Sequence, residues 1–104
     1  MSDLRHDRFA QVYAIADRYA ARFPEGNTPL GYLARLTEEL GEIAVEVQRL
    51  EGAPAKIAKH GDGEVAALAD EVEDLLHTAF GLLRLYGAES IFERVVDREF
   101  AKTI

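Results

Sequence analysis

Leu33-Ala34-Arg35-Leu36-Thr37-Glu38-Glu39-Leu40-Gly41-Glu42-Ile43-Ala44-Val45-Glu46-Val47-Gln48-Arg49-Leu50 is the stretch whose reading decides the fold. Leu33, Leu36, Leu40, Ile43, Val47 and Leu50 step by three and four, as an amphipathic helix with a heptad-like seam requires. Thr28 followed by Pro29 supplies a start: threonine caps, and proline is tolerated at the first helical position, where an N–H has no partner. Gly52 and Pro54 supply the stop. Val45 lies opposite the seam, so it marks either a second contact, such as a subunit partner, or a singly exposed valine.

The same periodicity extends in both directions. Phe9, Val12, Ala16, Tyr19 and Phe23 form one stripe, predicting a first helix from about Asp3 to Phe23, broken by Pro24-Glu25-Gly26-Asn27. Ala53 to Gly63 is the least regular part, with Asp62 as a candidate cap for a third helix. That helix carries Val65, Leu68, Val72, Leu75, Ala79, Leu82 and Tyr86, with Leu76, Phe80 and Leu83 widening the apolar face, and Gly87 stops it. Ser90-Ile91-Phe92-Glu93 matches a capping box and predicts a short fourth helix with Phe92, Val95 or Val96, and Phe100 turned inward. No useful β-strand pattern, repeat or low-complexity linker interrupts this series. The expectation is an all-α, four-helix, single domain spanning residues 1–104.

At 104 residues the chain suffices for one domain, and its core would be modest for a lone monomer, which favours oligomerisation. The net charge of −7 comes without a basic run, which argues against duplex nucleic acid or an anionic membrane as direct partner. The absence of cysteine excludes disulfides, thiolate zinc sites and cysteine nucleophiles. The opening residues lack a signal-peptide apolar core and no apolar run reaches membrane-spanning length, so a cytoplasmic location is expected.

Two acidic clusters carry the chemistry. Glu38-Glu39-Leu40-Gly41-Glu42 lies on the second helix and Asp70-Glu71-Val72-Glu73-Asp74 on the third. Residues three apart are neighbours, so Glu39 pairs with Glu42 and Glu71 with Asp74, each pair flanking an apolar stripe. An antiparallel hairpin ending near Glu51 and restarting near Asp62 sets Glu42 level with Glu71 and Glu39 level with Asp74. Four carboxylates without a local Arg or Lys must hold protons or share a cation. Oxygen-only ligands suit Mg²⁺ or Mn²⁺, and magnesium leaves coordination positions for substrate phosphates.

The pattern Glu-Glu-x-x-Glu on one helix and Glu-x-x-Asp on the next resembles the MazG-like all-α nucleotide pyrophosphohydrolases, over most of the chain from about Thr28. The resemblance implies a four-helix MazG-like bundle completed as a homodimer or homotetramer, and Mg²⁺-dependent splitting of a nucleoside triphosphate into monophosphate and pyrophosphate. It implies Glu39, Glu42, Glu71 and Asp74 as metal ligands. Glu38 would be an accessory carboxylate, and Glu38 or Glu39 would activate or position a water. Arg98 and Lys102 stand in the region where the family holds substrate, although Asp97 replaces an expected Asn. Lys56 and Lys59 are further candidates for phosphate contact, with ordinary surface lysines as the default. His77 reads as a core histidine bonded to backbone. Alternatives are a phosphoribosyl-ATP pyrophosphohydrolase-like enzyme, whose Tyr-His is replaced here by Leu76-His77, and a non-catalytic helical interaction module.

Overall fold

Thr28 opens the longest helix as expected: its hydroxyl accepts from the Gly31 N–H at 3.0 Å, and Pro29 takes the first helical position. The computed structural model describes residues 7–104, which form five helices and no strand: α1 (Arg8–Arg22), α2 (Pro29–Leu50), α3 (Pro54–His60), α4 (Val65–Leu85) and α5 (Glu89–Thr103). The expected start of the first helix at Asp3 lies outside the described residues; within them Asp7 caps α1 by accepting from the Ala10 N–H. Gly52 and Gly87, with φ of 81° and 60°, follow α2 and α4 where helix stops were expected.

Three local expectations are corrected. The irregular segment after Gly52 contains a seven-residue helix, α3, begun by Pro54 at its first position. Asp62 caps nothing: α4 begins at Val65 behind Glu64, and the backbone carbonyls of Gly61 and Asp62 are held instead by Arg49. Ser90 is not a cap, because α5 already includes Glu89 and its N-terminal flank, Ala88, offers no side-chain acceptor. Phe92, Val95 and Val96 are half-buried on α5, but Phe100 is 65% exposed, beyond the reach of α4.

The larger correction concerns which faces meet. α2 and α4 are antiparallel, and their shared register is fixed by close approaches along their length. Tyr32 lies against Gly81, Glu39 against Thr78, Glu42 against Glu71, and Leu50 against Gly63. A Cβ at Gly81 would stand 2.5 Å from the Tyr32 ring, and one at Gly63 would stand 2.6 Å from the Leu50 nitrogen, so both crossings depend on glycine. The face α2 turns to α4 is therefore Tyr32, Leu36, Glu39, Ile43, Glu46 and Leu50, with Tyr32 and Glu46 buried and Leu36, Ile43 and Leu50 of the expected seam half-buried. Leu33, Leu40 and Val47 of the expected seam are 55%, 61% and 42% exposed. Val65, Val72 and Leu76 of α4, and Tyr86 just after it, are likewise exposed.

α1 closes the other side of α4. Tyr13, Ala16 and Phe80 are the buried centre, with Phe9, Val12, Leu83 and Phe92 packed around it. The Phe9, Phe80 and Phe92 rings meet at centroid separations of 5.5 to 5.7 Å, within the range favoured by edge and offset contacts.

Arg49 clamps the α2–α4 connection. It donates to both carboxylate oxygens of the buried Glu46 at 2.6 and 2.9 Å, to the Gly61 carbonyl at 2.9 Å, and to the Asp62 carbonyl. Removing one partner of such a buried pair leaves an uncompensated charge. Arg49→Ala is accordingly expected to lower unfolding free energy by about 3 kcal/mol or more in urea titration. A loss below about 1 kcal/mol, the range of exposed ion pairs, sinks this account of the hairpin.

Candidate metal centre

Helical spacing and the α2–α4 register bring three carboxylates together. Glu42, Glu71 and Asp74 each place a carboxylate oxygen so that the three lie within 4.8 Å of one another. Glu71 and Asp74 are neighbours on α4 because they are three residues apart, and Glu42 reaches them from the level opposite Glu71. Glu39 is level with Asp74 in this register, as expected, but its carboxylate reaches one turn further along α4, where it accepts from the Thr78 hydroxyl at 2.9 Å. Glu39 still feels Asp74 and Glu42 electrostatically, so it adjoins the triad without entering it. Glu38 is exposed on the outer side of α2.

The electrostatics are those of crowded, partly desolvated acids. The Glu71 carboxyl is pushed up to about 7, first by a carboxyl hydrogen bond with Glu42, then by burial and by the charges of Glu42, Asp74 and Glu46. Burial is the leading cause of the upward shifts of Asp74 and Glu39, and the Thr78 hydrogen bond partly offsets it at Glu39. Buried oxygens of Glu39 and Glu71 (Oε2 in each) have no hydrogen-bond partner. Among the described residues, no Lys or Arg pairs with Glu39, Glu42, Glu71 or Asp74. An all-oxygen donor set with bare lone pairs and no counter-ion fits Mg²⁺ or Mn²⁺.

A second grouping, Glu73, Asp74 and His77, also lies within 4.8 Å. His77 is buried, but its Nδ1 meets the Glu73 carboxylate at 3.0 Å rather than backbone, and its ring stacks on Tyr19 at 4.6 Å and 2°.

Of these groupings, Asp74 and His77 border a cleft of about 590 Å³ between the end of α1, the α1–α2 turn, α2 and α4. Glu39, Asp74, His77 and Thr78 lie on its α2–α4 side, with Tyr19, Phe23, Gly26 and Arg35 around it. The Arg35 guanidinium sits 4.2 Å over the Tyr32 ring and donates to the Gly26 carbonyl and Asn27 Oδ1. Its partners are neutral, so its charge is left for an anion. Arg35 and Thr78 escaped the sequence reading, which placed Tyr19 only in the apolar stripe of the first helix. Arg35 sits beside a leucine seam and looks like any solvated helix arginine, and Thr78 carries no motif.

None of the expected substrate contacts lines this cleft in the protomer. Arg98 and Lys102 stand near Glu99 on their own helix, at 3.2 and 3.8 Å, and Lys56 is half-buried on α3. Tyr13 and Tyr32 are core residues, Tyr86 is exposed, and Tyr19 alone of the four tyrosines borders the cleft.

Comparison with known proteins adds one relative. The uncharacterized protein YpjD of Bacillus subtilis (strain 168) is 42% identical over 66 residues, which cover 62% of this chain and 57% of YpjD. The chain thus matches little more than half the length of that relative. No protein-family model and no solved structure matches.

The pH dependence follows from Glu71. Its folded pKa, about 7, exceeds the ordinary 4.5, so between these values the native state binds more protons than the unfolded state. In a chelator, thermal stability is expected to fall as pH rises from 5 to 8, through that window, and Mn²⁺ is expected to restore it most at the alkaline end. Glu71→Gln should flatten the chelator curve. A stability that climbs with pH in chelator, and is indifferent to Mn²⁺, contradicts this centre.

Proposed function

We propose that this chain is a Mg²⁺-dependent nucleotide pyrophosphohydrolase of the MazG-like kind, converting a nucleoside triphosphate and water to a monophosphate and pyrophosphate. The observation that carries the reading is the convergence of Glu42, Glu71 and Asp74 without a cationic partner, beside a cleft bordered by Glu39 and Arg35. Glu42, Glu71 and Asp74 hold the divalent ion. A bound Mg²⁺ supplies Lewis-acid stabilisation of the charge that develops on the phosphate oxygens. Glu39 accepts the proton of the attacking water, and burial raises its affinity for that proton. The water oxygen bonds to the α-phosphorus, the bond from that phosphorus to the α,β-bridging oxygen breaks, and pyrophosphate departs with the electron pair. The choice of the α-phosphorus rests on the family resemblance. Arg35 binds phosphate, and the cleft beside Tyr19 and Phe23 receives the nucleoside.

The active form in this reading is an oligomer that completes a helical bundle. The chain exposes 7513 Å², whereas a globular monomer of this mass exposes about 5,800 Å². Its radius of gyration is 16.2 Å, against about 13 Å for a compact chain of this length. The uncovered apolar surface includes the Leu33, Leu40 and Val47 row. Gly41, mid-helix beside that row, has nothing near its missing Cβ within the protomer. A partner helix against that face accounts for both features. Leu40→Lys is expected to convert a species of two or four chains into an 11.5 kDa monomer by light scattering, and wild-type protein that is monomeric at micromolar concentration refutes the assembly.

The activity is tested by pyrophosphate release with Mg²⁺ or Mn²⁺ across common and modified NTPs and dNTPs, with phosphoribosyl-ATP alongside. Glu42→Gln and Asp74→Asn are each expected to lower turnover about 100-fold or more while the helical spectrum persists. Full turnover in both variants rules out the ligand assignment. Hydrolysis confined to phosphoribosyl-ATP transfers the chain to that enzyme class, and no turnover on any substrate leaves an interaction module.

A further inference from the structure

Glu39 and Thr78 meet across the α2–α4 contact, and their geometry is asymmetric. The Thr78 side chain sits in one of the most enclosed positions of the molecule, 3% exposed. A threonine hydroxyl has one hydrogen to donate, and Thr78 gives it to Glu39 Oε1 at 2.9 Å. Oε2 of the same carboxylate is buried and has no partner. One oxygen is thus tethered and the other left unpartnered and enclosed, in a residue that borders the cleft and feels the charge of Asp74. A carboxylate free to rotate would present either oxygen, or neither, to a water in that cleft. A carboxylate pinned through one oxygen presents the other in a fixed direction.

We propose that Thr78 is the positioning residue for Glu39, holding one carboxylate oxygen so that the carboxylate keeps one orientation at the edge of the cleft. This inference rests on the pyrophosphohydrolase reading and adds to it a residue outside the acidic motif. Thr78 touches neither the ion nor the water; it acts through Glu39, as hydrogen-bond partners of reactive or ligating carboxylates do. Its loss is therefore a loss in the chemical step, with the affinities for metal and nucleotide largely intact.

Thr78→Val keeps the shape and removes the donor, whereas Thr78→Ser keeps the donor. In steady-state pyrophosphate release, Thr78→Val is expected to lower kcat about 10- to 100-fold, with KM and the Mn²⁺ dissociation constant changed by no more than about twofold. Thr78→Ser should recover kcat to within about threefold of wild type. Should the valine variant not fold, Thr78→Ala removes the same hydroxyl with less bulk and is read by the same criteria. Unchanged kcat without the hydroxyl overturns the proposal. So does equal loss in the serine variant, or a loss that appears in KM or metal affinity instead. A wild-type chain that releases no pyrophosphate with either ion overturns the underlying reading and this inference with it, whereas active wild type with an indifferent Thr78 overturns this inference alone.

Discussion

The antiparallel contact of α2 with α4 is the constraint on which the rest depends, because it sets acids among the half-buried Leu36, Ile43 and Leu50. Tyr32 against Gly81 at one end and Leu50 against Gly63 at the other bring the two backbones close. Between them lie Glu39, Glu42, Glu46, Glu71 and Asp74. Such a contact is costly: each desolvated carboxylate needs a proton, a hydrogen bond or a cation to offset lost hydration. The chain answers differently at each level. Glu46 takes Arg49, Glu39 takes the Thr78 hydroxyl, and Glu71, set against Glu42, has its carboxyl pushed up to about 7. The last of these arrangements has no cationic partner among the described residues, and the bare oxygens lie there and at Glu39.

The acidic pairs were legible in the sequence because helical spacing and hairpin register follow from two helix ends. Glu42 does lie against Glu71, as the expected ends near Glu51 and Asp62 require. The same register sets Glu39 level with Asp74, yet its carboxylate bonds Thr78, one turn away. A side chain as long as glutamate reaches across about a turn of helix, so equal height does not settle which neighbour it meets.

The apolar pattern misled in a specific way. Leu33, Leu40 and Val47 repeat every seven residues and read as the line of contact with the next helix, yet within the protomer they face outward. Periodicity reports that a face is apolar, not which neighbour covers it. The face that does meet α4 contains Glu39 and Glu46, whose charge hides it from a hydrophobicity count. The short helix α3 escaped for a related reason: seven residues between Pro54 and Gly61 are too few to show a period. Asp62 was misread as a cap because its carbonyl, held by Arg49, matters more there than its side chain.

Charge allocation explains why the acidic centre stays open in a chain that is not short of arginine. Arg49 is committed to Glu46 and the Gly61–Asp62 turn, and Arg84 to Asp17 through two bonds of 3.0 Å while covering the Tyr13 ring. Arg35, the guanidinium that borders the cleft, is fixed by an aromatic face, a carbonyl and an amide oxygen, none of which cancels its charge. Had Arg35 been anchored by Glu39, cation and base would have neutralised each other. Anchoring it on neutral groups keeps a positive charge beside negative ones without pairing them. A ligand that is itself anionic and metal-bound would be complementary to both at once, its anionic groups to Arg35 and its cation to Glu42, Glu71 and Asp74.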